Sequence, residues 1–94
     1  MKNTIIDREG KPIYLTKERW KHIINEHPEL SNKEEEIKLV IQNSYIIKES
    51  KYDKRIKFYY KYIKEKNRYL FIAVKYLKDK GFIITAFFVR SIQK

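Results

Sequence analysis

Residues 68–92, RYLFIAVKYLKDKGFIITAFFVRSI, decide the fold, because apolar side chains recur at every second position on both sides of a short polar turn. In the first half, the two alternating sets are Leu70, Ile72, Val74 and Tyr76 against Tyr69, Phe71, Ala73 and Lys75. A period of two is that of a β-strand, whose successive side chains point to opposite faces of a sheet. The stretch therefore predicts two antiparallel strands, over residues 68–77 and 82–92, joined by a turn.

The same alternation continues toward the N-terminus of the chain. It predicts two more strands, over residues 45–51 and 55–63. Because the connections between all four strands are short, each strand is expected to pair with the next one along the chain. The second half of the sequence therefore predicts a four-stranded antiparallel meander.

Before Ser44 the apolar residues recur with the period of an α-helix. Residues 17–27 predict a first helix, with Thr16 as its N-cap and Pro28 ending it. A second helix follows, with Ser31 or Asn32 as its cap. Its apolar stripe is Ile37, Val40 and Ile41, and its first turn carries Glu34, Glu35 and Glu36. Acidic residues are favoured at a helix start, so this acidic run is interpreted as a solvated first turn and not as a metal site.

Residues 3–7 and 12–15 flank a turn that contains Gly10, which predicts a short N-terminal hairpin. The predicted fold class is therefore α+β, with this hairpin and two helices packed on one face of the four-stranded meander. Ninety-four residues predict a single domain, residues 1–94, with one modest core.

Charge and composition narrow the classes of function. The chain has 22 Lys and Arg against 12 Asp and Glu, which gives a net charge of +10, and it has no cysteine. A small domain this basic is typical of nucleic-acid binding, although a lysine-rich coding bias accounts for part of the excess. The absence of cysteine excludes disulfides, thiol catalysis and cysteine zinc sites. No apolar run is long enough for a membrane span, so the expected location is the cytoplasm.

Two groups of strand residues could contact phosphate. Lys57, Tyr59 and Lys61 share one face of the strand 55–63, where lysines could neutralise phosphates and the ring could stack on a base. The alternative for this row is an ordinary solvated strand face. Lys75 and Thr85 interrupt apolar strands, and they are expected on the same sheet face as Lys57, around one phosphate. Taken singly, each of the two is more often a packing or surface residue.

The chain has two histidines, and both lie in the first predicted helix. At about 100° per residue, His27 falls on the stripe of Trp20, Ile23 and Ile24, whereas His22 falls on the opposite side. Histidine suits acid-base catalysis near neutral pH, which makes both histidines candidates. The alternatives are a histidine at the edge of the core for His27 and a surface residue for His22. A spacing of five does not align the two for one metal ion, and no HExxH motif is present, so no metal is expected.

Several motifs together resemble a known family. They are Leu15-Thr16, Arg19-Trp20, His22-Ile23, His27-Pro28-Glu29 and the later GFIITA at residues 81–86. The pattern is similar to small nuclease-like domains of the Barnase–EndoU–Colicin–RelE group, of the type found in phages and mobile elements, and it extends from Leu15 to about Arg90. The resemblance implies one or two helices followed by a four-stranded antiparallel meander. One departure is Phe87, which stands where the family often has a tyrosine.

The resemblance also implies a function. Members of the group are typically metal-independent RNases without a cofactor, and many act as toxins or effectors. On this interpretation His27, His22, Lys75 and Thr85 are the candidate catalytic residues. The candidate RNA-binding residues are Arg19, Lys57, Tyr59 and Lys61. The expected partners are RNA and an acidic inhibitor or antitoxin protein. The alternatives are a non-catalytic nucleic-acid-binding domain and a protein-interaction module that binds an acidic partner.

Overall fold

The computed structural model describes residues 3–92, which form two α-helices and one six-stranded mixed sheet. The elements in chain order are β1 (Asn3–Ile6), β2 (Pro12–Leu15), α1 (Lys17–Glu26), α2 (Glu34–Asn43), β3 (Ile46–Glu49), β4 (Ile56–Ile63), β5 (Arg68–Leu77) and β6 (Lys80–Val89). A single 3-10 turn, Pro28–Leu30, separates the two helices. None of the helices in residues 3–92 is long and apolar enough to cross a membrane.

Both helices begin and end close to the positions that the sequence predicts. The Thr16 side chain caps α1 by accepting a hydrogen bond from the backbone N–H of Arg19 at 3.1 Å. Pro28 disfavours helical geometry at His27, which has a φ of −133° and ends the helix. The expected cap of α2 is wrong by one residue or more, because α2 begins after Lys33, which makes no capping hydrogen bond through its side chain.

The sheet has the strand order β1-β2-β6-β5-β4-β3. Strands β3 to β6 pair in succession as antiparallel neighbours, but the predicted four-stranded antiparallel meander is wrong as a description of the sheet. The hairpin β1–β2 joins the same sheet, and β2 pairs with β6 in parallel, with Ile13 opposite Gly81 and Tyr14 opposite Phe82.

The physical reason for this larger sheet is that a two-stranded hairpin is barely stable alone and must bury its apolar residues elsewhere. Ile13 is 0% exposed and Leu15 is 2% exposed in the core. Gly81 permits the close approach, because a Cβ atom at this position would lie 2.7 Å from Cδ1 of Ile13. The parallel pair therefore depends on a glycine opposite a buried isoleucine.

One face of the sheet, here called the helix face, carries the core. Helix α2 packs on this face against β1, β4 and β5. Its stripe of Ile37, Val40 and Ile41 is fully buried there, together with alternate residues of β5, namely Leu70, Ile72 and Val74. Trp20 and Ile24 of α1 are partly buried against the same core, whereas Ile23 is 1% exposed.

The opposite face, here called the aromatic face, is lined by Phe58, Tyr60, Phe71 and Phe87. The ring of Phe71 contacts the other three, at centroid distances of 5.3 Å to Phe58, 5.2 Å to Tyr60 and 4.9 Å to Phe87. These residues alternate with the core residues along β4, β5 and β6. The sheet therefore presents a row of rings on the side that α2 leaves uncovered.

Candidate functional site

A groove lies where α1 runs beside β6. Pairing between β2 and β6 stops at Tyr14 and Phe82, and α1 begins soon after, at Lys17, and contacts β6. The first turn of α1 lies near Ile84, and its last turn lies near Phe87. A β-bulge shifts the pairing of β5 and β6 at this point, so that Ala73 faces Thr85 while Val74 faces Ile83. The groove opens onto the aromatic face.

Two cationic side chains line a pocket of about 280 Å³ at the first end of this groove. They are Arg19 of α1 and Lys75 of β5, and Thr16 lines the same pocket. Lys75 alternates with the core residues of β5 and therefore lies on the aromatic face, opposite Phe82 of β6. The pocket combines positive charge with hydroxyl and aromatic groups. Cations and hydroxyls bind phosphate, and aromatic side chains stack on a ring next to it.

A nearby carboxylate partly neutralises the charge of Lys75. Asp53, in the connection between β3 and β4, has a carboxylate oxygen 3.9 Å from Nζ of Lys75. Hydrogen bonds from Arg55 hold the pKa of the Asp53 carboxyl at about 2, well below its usual range. Asp53 is therefore ionised at neutral pH, and it is positioned to orient the lysine without direct hydrogen-bond contact.

His27 occupies the other end of the groove. Its ring lies 5.1 Å from the Phe87 ring, at an interplanar angle of 31°, and its side chain is 30% exposed. Nδ1 of His27 is 4.0 Å from the Glu29 carboxylate. Thr85 lies two residues before Phe87 on the same face of β6, between the ends of the groove. Arg19 and His27 are eight residues apart, which is about 12 Å along a helix.

Arg19 and Lys75 line one pocket, and Thr85 and His27 lie farther along the same edge between α1 and β6. This edge with its four predicted site residues is here called the α1 groove. His22 does not belong to it. Its side chain is exposed on the solvent side of α1, where Nε2 lies 3.4 Å from the Glu26 carboxylate. The two histidines therefore differ in position as the helical stripe predicts.

The row of Lys57, Tyr59 and Lys61 does not lie with the α1 groove. Tyr59 pairs with Ile72 and is 3% exposed in the core, so its ring is not accessible to stack on a base. The expectation that Lys75 and Thr85 share a face with Lys57 is wrong, because the row lies on the helix face. The face of β4 with Lys57 and Lys61 is its more polar one, but pairing with β5 places Tyr59 beside the core residue Ile72 and so puts this face on the helix face of the sheet.

A buried polar network on the helix face was not predicted from the sequence. The Tyr76 hydroxyl donates to Asp7 at 2.9 Å, and it also shares a short hydrogen bond with the Tyr59 hydroxyl. The other Asp7 oxygen accepts from the backbone N–H groups of Glu9 and Lys11, at 2.9 Å and 2.8 Å. An aspartate just before a glycine-containing turn is a signal that could have identified Asp7, whereas nothing in the sequence singles out Tyr76.

This network makes stability sensitive to alkaline pH. Burial raises the pKa of Tyr59, and burial together with the hydrogen bond to Tyr59 raises the pKa of Tyr76. Tyrosines of the unfolded chain ionise near pH 10, whereas these two ionise at higher pH in the folded state. Their contribution to stability is therefore fully present below pH 10 and is lost as the pH rises above it. Each group lowers the free energy of unfolding by up to about 1.4 kcal/mol per pH unit.

We therefore expect the free energy of unfolding to fall more steeply above pH 10 in the parent than in Tyr76→Phe, which lacks one of these groups. Urea unfolding at pH 9, 10 and 11 measures both slopes, and lysine ionisation affects both proteins equally. Equal slopes would show that Tyr76 ionises normally in the folded protein.

The described residues hold no group of metal ligands. Within residues 3–92, no three or more histidine, aspartate or glutamate side chains are grouped so that they could hold a metal ion. Comparisons of the chain with protein-family models, curated proteins and solved structures gave no significant match.

Proposed function

We propose that this protein is a metal-independent endoribonuclease domain of the Barnase–EndoU–Colicin–RelE type, acting on RNA in the cytoplasm as a toxin or effector. The observation that carries the proposal is the placing of His27, Lys75, Thr85 and Arg19 along the α1 groove. A proton-transfer group, two cations and a hydroxyl are the groups that RNA cleavage requires when the ribose supplies the nucleophile.

The reaction proposed is a transesterification. The ribose 2′-oxygen bonds to the adjacent phosphorus as the bond from phosphorus to the 5′-oxygen breaks, which leaves a 2′,3′-cyclic phosphate and a free 5′-hydroxyl. One proton leaves the 2′-hydroxyl and one is added to the departing 5′-oxygen. His27 carries one of these transfers and water the other. In this proposal the long side chains of Lys75 and Arg19 extend along the groove toward the reacting phosphate and offset the charge that builds on its oxygens, and the Thr85 hydroxyl donates to one of them.

The surroundings of the groove support RNA as the substrate. The rings of Phe58, Phe71 and Phe87 follow one another across three strands, beside the cationic pocket. Bases of a single strand can stack on such rings while the backbone follows the positive charge, which is how proteins commonly bind unpaired RNA. The net charge of +10 adds an attraction that weakens as salt is raised.

The experiment that tests the proposal is incubation of the purified protein with a defined single-stranded RNA in the presence of EDTA. We expect fragments that end in 2′,3′-cyclic phosphate, and no cleavage of DNA of the same sequence, because DNA lacks the 2′-hydroxyl. Binding of RNA without any cleavage would contradict the catalytic proposal and favour a non-catalytic nucleic-acid-binding domain. A protein that neither binds nor cleaves RNA would favour the module that binds an acidic protein partner.

A further inference from the structure

A second pocket opens on the aromatic face, beneath the connection between β3 and β4. Its volume is about 330 Å³, within the range of small-molecule sites. Phe58 and Tyr60 of β4 line it, together with Tyr52 and Lys51 of the connection and Lys48 of β3. No catalytic residue proposed above contributes to this pocket.

Tyr60, one of the residues that line this pocket, carries a notable hydroxyl. Tyr60 is 1% exposed, and its hydroxyl is the one buried side-chain nitrogen or oxygen atom in residues 3–92 that has no hydrogen-bond partner. Buried polar groups are nearly always paired, so an unpaired hydroxyl on a side chain that lines a pocket indicates a partner that reaches it once the pocket is occupied. A hydroxyl can donate one hydrogen bond and accept others, so it can meet the polar edge of a ligand.

The remaining walls indicate what kind of ligand fits. Tyr52 is 95% exposed at the mouth of the pocket, and Phe58 supplies a second ring. Lys48 and Lys51 add positive charge, against the single carboxylate of Glu49. A nucleotide is a flat polar heterocycle joined to a phosphate. It matches a pocket that offers two rings, two lysines and one buried hydroxyl.

A chain of ring contacts links this pocket to the α1 groove. The Phe58 ring contacts Phe71, Phe71 contacts Phe87, and Phe87 contacts His27, at centroid distances of 5.3, 4.9 and 5.1 Å. Tyr60 and Phe87 lie on strands two apart in the sheet, which corresponds to about 10 Å. An RNA strand with a phosphate in the α1 groove can therefore place a neighbouring base in this pocket.

We propose that this pocket is a nucleobase subsite and that the Tyr60 hydroxyl determines base preference by hydrogen bonding to the edge of the bound base. The inference rests on the proposed function, because it takes RNA as the ligand. Tyr52 stacks on the base without regard to its identity, and Lys48 and Lys51 contact the phosphate that follows it. Tyr60 thus sets specificity, whereas Tyr52 sets affinity.

The test measures binding of fluorescently labelled 2′-O-methyl hexamers of U, C and A, which cannot be cleaved. We expect the parent to prefer one of the three, and Tyr60→Phe to reduce that preference by roughly threefold to tenfold, the effect of one hydrogen bond. The matched control is Tyr62→Phe, which makes the same chemical change on the same face of β4. The Tyr62 hydroxyl already donates to Asn67, so this control should keep the parent's preference.

The proposal is overturned if the parent shows no base preference, or if Tyr60→Phe leaves the preference unchanged. In either case the partner of the hydroxyl would be a bound water. Tyr52→Ala tests the same pocket without touching a buried residue. It should weaken binding of all three hexamers by roughly tenfold or more, and unchanged affinity also overturns the proposal. These hexamers lack a free 2′-hydroxyl, so their binding does not depend on catalysis. A protein that binds them with base preference but cleaves no RNA would therefore contradict only the proposed catalysis.

Discussion

His27→Gln is expected to lower the rate of RNA cleavage by a factor on the order of 10² to 10⁴, the usual contribution of a general acid or base. Glutamine keeps the size of the side chain and its hydrogen-bonding capacity, but it cannot exchange a proton near neutral pH. The ring is only partly buried, at 30% exposed, and it contacts Phe87 without closing any buried hydrogen-bond network. The fold should therefore survive the substitution, which circular dichroism would verify before the kinetics are measured in EDTA.

The matched control is His22→Gln on the same helix. His22 is exposed and pairs with Glu26 on the side of α1 that faces away from the sheet, so the variant should cleave RNA at close to the parent rate. An inactive His22→Gln together with an active His27→Gln would reverse the assignment. Full activity in both variants would exclude both histidines and leave Lys75 and Thr85 as the candidates.

The positions of the helices and strands could be predicted from the sequence, because apolar periodicity and capping residues are local signals. The six-stranded sheet could not be predicted in this way. Periodicity indicates that residues 12–15 form a strand, but it does not indicate which strand they pair with. The parallel pair of β2 and β6 depends on Ile13 packing over Gly81, a contact between residues 68 positions apart.

The candidate site could be predicted only in part, for a related reason. The position of His27 could be predicted because α1 has a single apolar stripe, and this stripe is the side of the helix that meets the sheet. In strand β4 the face with Lys57 and Lys61 is the more polar one, so alternation indicates that it is solvated, whereas pairing with β5 places it on the helix face. The sequence therefore placed Tyr59 among the RNA-binding residues, although it lies in the core. The unpaired Tyr60 hydroxyl depends on packing and has no signal in the sequence.

Removing the two cations of the α1 groove is the second change expected to have a large effect. The double variant Arg19→Gln and Lys75→Gln removes the groups proposed to offset charge on the phosphate. It should lower kcat/KM for RNA cleavage by a factor on the order of 10² to 10³, similar to the loss of a donor that stabilises an oxyanion. Both side chains reach solvent, so the fold should remain intact.

A second double variant, Lys57→Gln and Lys61→Gln, is the matched control because it removes the same net charge from the helix face. General attraction between the protein and RNA falls equally in the two proteins, so any difference between them reports on position alone. We expect this control to retain kcat/KM to within about tenfold of the parent, since its lysines lie away from the proposed chemistry.

The ratio of kcat/KM between these two double variants, measured on one RNA in EDTA at one salt concentration, tests most directly whether cleavage takes place on the aromatic face. If cleavage takes place in the α1 groove, we expect the Arg19 and Lys75 variant to be at least about tenfold slower than the Lys57 and Lys61 variant, because only the first loses charge stabilisation at the reacting phosphate. Equal rates, or a slower Lys57 and Lys61 variant, would contradict it.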